Sequence, residues 1–189
     1  RIEEAEAILK KSAGLFPGSV WPYMALGVFY KDLGRFSEQE SVLLRALELE
    51  PGDMEVLAET AWCYKFQERF SQAETLFVRA RDLFPDCAWP LYGLSVCYRL
   101  TGRPDMEEEA LKKCLIKDPM MKMAQAALGL VYIRQERYDL AVALFKKVCS
   151  EDPLNERALG GLTTVYRLMG KKDMVQQISG LGSAVGREY

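Results

Sequence analysis

Five prolines, Pro17, Pro51, Pro85, Pro119 and Pro153, stand 34 residues apart, and each follows an apolar helical pattern. A fixed period of this size marks stacked supersecondary units, because one such unit cannot bury its apolar face alone and must lean on its neighbours. For a chain of 189 residues, 49% of them hydrophobic, the period selects a repeat array over a single globular core.

Between prolines, two helical patterns are separated by a short turn. First helices are predicted over 21–33, 55–67, 89–101, 123–135 and 157–169, and second helices over 38–49, 72–84, 106–117 and 140–150. Leu26, Thr60, Leu94, Leu128 and Leu162 share one register in the first helices, and Tyr30, Tyr64, Tyr98, Tyr132 and Tyr166 share another. Residues 1–16 read as one amphipathic helix, with Ala5, Ile8, Leu9, Ser12 and Leu15 on a single face, the second half of an incomplete unit. The expected organisation is one domain: a half unit at 1–19, full units at 20–53, 54–87, 88–121 and 122–155, and a degenerate last unit at 156–189.

The turns carry their own repeated chemistry. Ser37, Ser71, Asp105, Asp139 and Asp173 occupy one register and are predicted to cap the second helices, because their side-chain oxygens can accept from orphan backbone N–H groups. Glu40, Glu74, Glu108 and Gln176 follow three residues later, as in a capping box. Gly34, Gly102 and Gly170 supply the left-handed backbone that ends the first helix. Each second helix should stop before its proline, since the residue preceding proline is pushed out of the helical region. In the last unit Gly180, Gly182 and Gly186 fall where the second helix should continue, and an interior glycine costs about 1 kcal/mol relative to alanine. A short polar cap with a frayed tail is one reading of this end, and a cut inside a longer array is the other.

Composition removes most chemistries. Net charge is −2 and the pI is near 5.4, so no overall basic field exists to hold nucleic acid or an anionic membrane surface. The uncharged stretch 15–30 is interrupted by Pro17, Gly18, Pro22 and Gly27 and is too short to span a bilayer. The chain opens inside a helical pattern without an initiator Met and reads as a fragment of a longer protein. It contains no histidine, which excludes Ser-His-Asp and Cys-His pairs, HExxH motifs and His-ligated metals. Cys63, Cys87, Cys97, Cys114 and Cys149 are odd in number and lack CxxC spacing; they read as small hydrophobes of a reducing, cytoplasmic setting. The glycines of 180–186 have the wrong spacing for a dinucleotide loop and follow no strand. Glu107, Glu108 and Glu109 sit in the first turn of a helix, where carboxylates favour the positive dipole end. No cofactor, metal or catalytic residue is expected.

The aligned registers resemble the tetratricopeptide repeat. The fourth full unit carries that pattern through Leu128, Gly129, Tyr132, Tyr138, Ala141, Phe145 and Pro153, and the second through Leu57, Ala61, Tyr64, Phe70, Ala73, Phe77, Ala80 and Pro85. The first carries it through Tyr23, Leu26, Gly27, Tyr30, Phe36, Leu43, Ala46 and Pro51. Departures are Gln39 and Glu107, in place of a small residue, and Pro104, in place of an aromatic. The resemblance implies an all-α, right-handed superhelical solenoid of antiparallel helix pairs whose first helices line a concave face. It implies a non-catalytic scaffold that binds a peptide or partner segment in that groove, and oligomeric state is left open.

By the same resemblance the inward positions include Trp21, Met24, Val28, Trp62, Phe66, Trp89, Tyr92, Val96, Leu130 and Ile133, an aromatic set of the kind that anchors peptides. About half of them are expected to pack between neighbouring first helices instead, with Trp21–Pro22 and Trp89–Pro90 fixing helix starts. Lys31, Lys65, Arg99 and Arg167 form a second register near the first-helix C-termini, with Arg134 beside it. They either complement the helix dipole or offer a cationic strip to a partner with apolar anchors and acidic flanks. The positions that form the chaperone-tail carboxylate clamp in this family carry residues such as Met24, Val28, Glu59, Trp89 and Gly93, which disfavours that ligand. Two alternatives accompany the scaffold: a chaperone-like adaptor for a secretion or assembly apparatus, and a regulatory repeat segment of a larger enzyme.

Overall fold

The computed structural model describes the backbone of residues 1–185 and the side chains of residues 1–178. Among the described residues it is all α-helical: α1 (Ile2–Leu15), α2 (Trp21–Asp32), α3 (Phe36–Leu49), α4 (Met54–Phe66), α5 (Phe70–Leu83), α6 (Trp89–Leu100), α7 (Pro104–Lys117), α8 (Lys122–Arg134), α9 (Tyr138–Glu151), α10 (Glu156–Leu168) and α11 (Lys172–Val185). No helix there is long and apolar enough to cross a membrane. The chain divides into two compact units, Arg1–Arg103 with α1 to α6 and Pro104–Tyr189 with α7 to α11. Within each, a helix packs on the next in sequence, and first helices also touch each other, α2 with α4 and α4 with α6 in one unit and α8 with α10 in the other.

The core of each unit is built from the repeated registers. Leu26, Tyr30, Thr60, Tyr64, Leu94 and Tyr98 are buried in the first unit, and Leu128, Tyr132, Leu162 and Tyr166 in the second. The second helices contribute Leu43, Phe77, Leu111 and Phe145, all nearly inaccessible. Phe145 seats its ring against both Gly129 of α8 and Gly161 of α10, where a methyl group would run into it, so glycine is required for this close approach. Full burial of such a ring stabilises by about 1.5–3 kcal/mol before its packing is counted.

The helix starts differ from expectation. The second helices α3, α5, α7 and α9 begin two residues earlier than predicted, so Ser37, Ser71, Asp105 and Asp139 lie inside the first turn. The N-cap residues of α3, α5 and α9 are Arg35, Arg69 and Arg137, and none makes a side-chain cap bond. The side-chain caps occur on first helices, where Asp53 accepts from the Val56 N–H at 2.9 Å and Asn155 accepts from the Ala158 N–H at 3.0 Å.

The reason lies in the turn. Gly34, Gly102 and Gly170 are left-handed as expected, with φ of 69°, 70° and 71°, and Glu68 and Glu136 adopt the same backbone at 60° and 58° despite their side chains. This residue lets the next N–H reach back to the tyrosine carbonyl, as in Arg35 to Tyr30, Arg69 to Tyr64, Arg103 to Tyr98, Arg137 to Tyr132 and Lys171 to Tyr166, all at 2.9 Å. The chain then enters the second helix at once.

The end of the chain also departs from expectation. Helix α11 runs from Lys172 to Val185, so Gly180 and Gly182 lie within a helix rather than a loose tail. Gly186 lies outside the described residues.

Candidate partner-binding face

The expected capping glutamates do something else. Each arginine after the left-handed turn residue stacks on the tyrosine whose carbonyl its own N–H engages: Arg35 on Tyr30 at 4.8 Å, Arg69 on Tyr64 at 4.5 Å, Arg103 on Tyr98 at 4.5 Å and Arg137 on Tyr132 at 4.7 Å. The guanidinium then donates to a carboxylate 29 residues earlier, on the preceding second helix: Arg35 to Glu6, Arg69 to Glu40, Arg103 to Glu74 and Arg137 to Glu108, with N···O distances of 2.5–2.8 Å. Planar guanidinium suits both stacking and carboxylate pairing. The bond from Arg35 holds the Glu6 carboxyl down at about 2. At Glu108 burial pushes the carboxyl up, but bonds from Lys112, Gln135 and Arg137 outweigh it and bring the pKa to about 2. This ladder is a structural device. Sequence reasoning missed its arginines although they obey the 34-residue period, because Glu40, Glu74 and Glu108 had a local explanation as capping boxes.

The acidic trio is accounted for in the same way. Buried Glu107 accepts from Arg134, Glu108 belongs to the ladder, and exposed Glu109 pairs with Lys113 at 2.6 Å. Among the described residues no three His, Cys, Asp or Glu side chains converge as a metal site. Cys63, Cys97 and Cys114 are buried. Burial pushes the Cys97 thiol up to about 11, far from the reactive thiolate.

What remains as a candidate site is the face of α2, α4 and α6 in the Arg1–Arg103 unit. Trp21, Met24 and Val28 of α2 line a cleft of about 500 Å³ with Glu50, Asp53, Glu55 and Val56. Trp62 of α4 and Trp89 of α6 line a second cleft of about 260 Å³ with Phe77, Cys87, Pro90, Glu55 and Glu59. Trp62 is held edge-on to Phe77, ring centroids 5.1 Å apart, and lies 6.3 Å from Tyr92, which in turn meets Trp89 edge-on at 6.2 Å. Prolines in the first turns of α2 and α6 position Trp21 and Trp89 at the helix starts. These two indoles remain 67% and 51% exposed, so fixing the start does not exhaust them.

The other expected residues are distributed as follows. Phe66 stacks on Phe36, with centroids 5.4 Å apart and rings 8° from parallel, and Lys65 lies 4.2 Å from the Phe66 ring centre. Val96 is buried and offers no surface. Lys31 pairs with Glu59 at 2.9 Å, and Arg134 with buried Glu107, so neither is a free strip cation. Arg99 and Arg167 are exposed. In the Pro104–Tyr189 unit Leu130 is exposed and Ile133 half-buried, with no tryptophan near them on α8 or α10. The carboxylates Glu50, Asp53 and Glu55 were not foreseen at the site; their place in the turns and first turn before and within α4 was the signal.

Family profiles described as tetratricopeptide repeat match residues 22–53, 59–119 and 108–156. No curated protein matches the chain. Among solved structures, PilW, a type IV pilus biogenesis factor, is similar over all of this chain and 87% of its own, at 17% identity and a TM-score of 0.84. PilF of Pseudomonas aeruginosa is similar over all of this chain and 84% of its own, at 17% identity and a TM-score of 0.78. YrrB, described as having an unusual peptide-binding site, matches 96% of this chain and 93% of its own, at 14% identity and a TM-score of 0.66. At these identities the likeness is one of fold.

Proposed function

The chain belongs to the tetratricopeptide-repeat family, and from that premise we propose that it is a non-catalytic scaffold that binds a peptide or partner segment on the α2, α4 and α6 face. One observation carries the proposal: Trp21 and Trp89 stay more than half exposed, each lining a cleft, and the cleft at Trp89 is walled mainly by apolar side chains. Large indoles at the edge of an apolar recess are what binding hot spots are made of. The cytoplasmic setting that accompanies this function draws on Cys63 and Cys97, buried and outside any disulfide.

A second function, an adaptor in an assembly apparatus, draws on the full-length likeness in fold to PilW and PilF. A shared fold hosts many roles, so the likeness supports this reading less directly than the exposed indoles support the first.

The experiment is to pan a random peptide library on the purified protein and measure the selected peptides against Trp21→Ala and Trp89→Ala. Both variants should keep the parent melting temperature, because the indoles are exposed, while affinity falls at least about tenfold, or ~1.4 kcal/mol. Selected peptides that bind both variants unchanged would move the site off this face.

A further inference from the structure

The charge of the two clefts is opposite to what the cationic register led us to expect. Neither cleft is lined by a lysine or arginine. Of the lining carboxylates, Asp53 accepts from the Val56 N–H and Glu59 from Lys31. Glu50 and Glu55 make no ion pair among the described residues, and Glu55 lines both clefts. The remaining cations of this face, Lys65 and Arg99, stand in the last turns of α4 and α6 and line neither recess.

We propose that the cleft between α4 and α6 receives a cationic anchor, the arginine or lysine side chain of a partner peptide, with Glu55 as its counter-charge. This deepens the proposal that the face binds peptide, and rests on it. Three features of the cleft suit such an anchor. Trp62 and Trp89 line the cleft, and an indole attracts a cation through its ring quadrupole. The apolar floor accepts the aliphatic stem that arginine and lysine carry below the charge. The Glu55 carboxylate, in the first turn of α4 and without an ion pair among the described residues, supplies complementarity that an acidic peptide would meet as repulsion. A second residue of the same peptide then reaches the neighbouring cleft, where Trp21, Met24 and Val28 stand beside Glu50, Asp53 and Glu55.

The test uses three capped peptides of equal length, alternating leucine with arginine, with glutamine or with glutamate. Binding is read by quenching of tryptophan fluorescence and by protection of Cys87, which lines the cleft, from alkylation followed by mass spectrometry. The leucine–arginine peptide should bind at least about tenfold more tightly than the leucine–glutamine peptide and protect Cys87, with the margin shrinking as salt rises. Glu55→Gln should erase the margin by lowering leucine–arginine affinity to the leucine–glutamine level. If the leucine–glutamate peptide binds as tightly as the arginine one, or Glu55→Gln leaves the margin intact, the cationic anchor is wrong and the peptide face stands. If no peptide quenches fluorescence or protects Cys87, the peptide face itself falls.

Discussion

The two compact units meet the same difficulty at one register and solve it differently. Where α5 and α9 carry Ala73 and Ala141, α3 carries Gln39 and α7 carries Glu107, both fully enclosed. In the Arg1–Arg103 unit neither end of the Gln39 amide finds a partner. In the Pro104–Tyr189 unit Glu107, 3% exposed, is met by Arg134 of α8. An enclosed amide without partners costs about 1–3 kcal/mol, whereas an enclosed carboxylate without a partner would cost far more. The contrast teaches that a charged residue persists at this site only where the neighbouring first helix delivers a counter-charge. It also explains why Arg134, an apparent member of a binding strip, is a core partner. On the surface the contrast is reversed: the first unit presents Trp21, Trp62 and Trp89, and the second presents Leu130 and Ile133 at its first helices. The frame is common to both units and the recognition chemistry is not.

The sharpest break of this comparison is at the frame. Phe77→Ala and Phe145→Ala each remove a nearly inaccessible ring and should cost about 3–5 kcal/mol in denaturant unfolding. Equal losses would show that the frame is equally strong in both units. Next comes Arg134→Ala, which strands the enclosed Glu107 carboxylate and should destabilise by about 3 kcal/mol. The double variant Arg134→Ala, Glu107→Ala should recover part of that loss, and no recovery would mean that the guanidinium acts through something other than Glu107.

On the Gln39 side the sign changes. Gln39→Met keeps the volume and removes two unpaired polar atoms, so stability should rise by about 1 kcal/mol, measured as a higher denaturant midpoint at unchanged slope. A fall would show that the amide is satisfied in solution. Smallest are Glu68→Gly and Glu136→Gly, one in each unit, which relieve a left-handed backbone that costs a non-glycine residue about 1 kcal/mol or more. The flexibility glycine adds to the unfolded chain offsets part of this, leaving a gain of about 0.5 kcal/mol in both units.

Much of the fold was legible because a 34-residue period repeats every packing relation. The registers of leucine and tyrosine, the glycine turns at 34, 102 and 170 and the helix ends before proline all appear where the sequence places them. Ser37 and Asp139 were misread because a helix start depends on where the previous turn releases the chain, and the Arg-to-Tyr backbone bond releases it two residues earlier. The glycines near 180 were misread because average propensity is a weak prior against a helix that packs on α10.

At the candidate site, residue types were visible but their employment was not. Trp21, Met24 and Val28, and Trp62 with Trp89, do line clefts, whereas Val96 is enclosed and Lys31 is neutralised by Glu59. The sequence by itself determined the helical repeat, its registers and which side chains could serve as anchors, since these follow from periodicity along one chain. Only the tertiary structure decided which charges are free: Glu55 makes no ion pair among the described residues while Arg134, Lys31 and the ladder arginines are paired, because a counter-charge 27 to 29 residues away is brought within hydrogen-bond reach by packing and by nothing local.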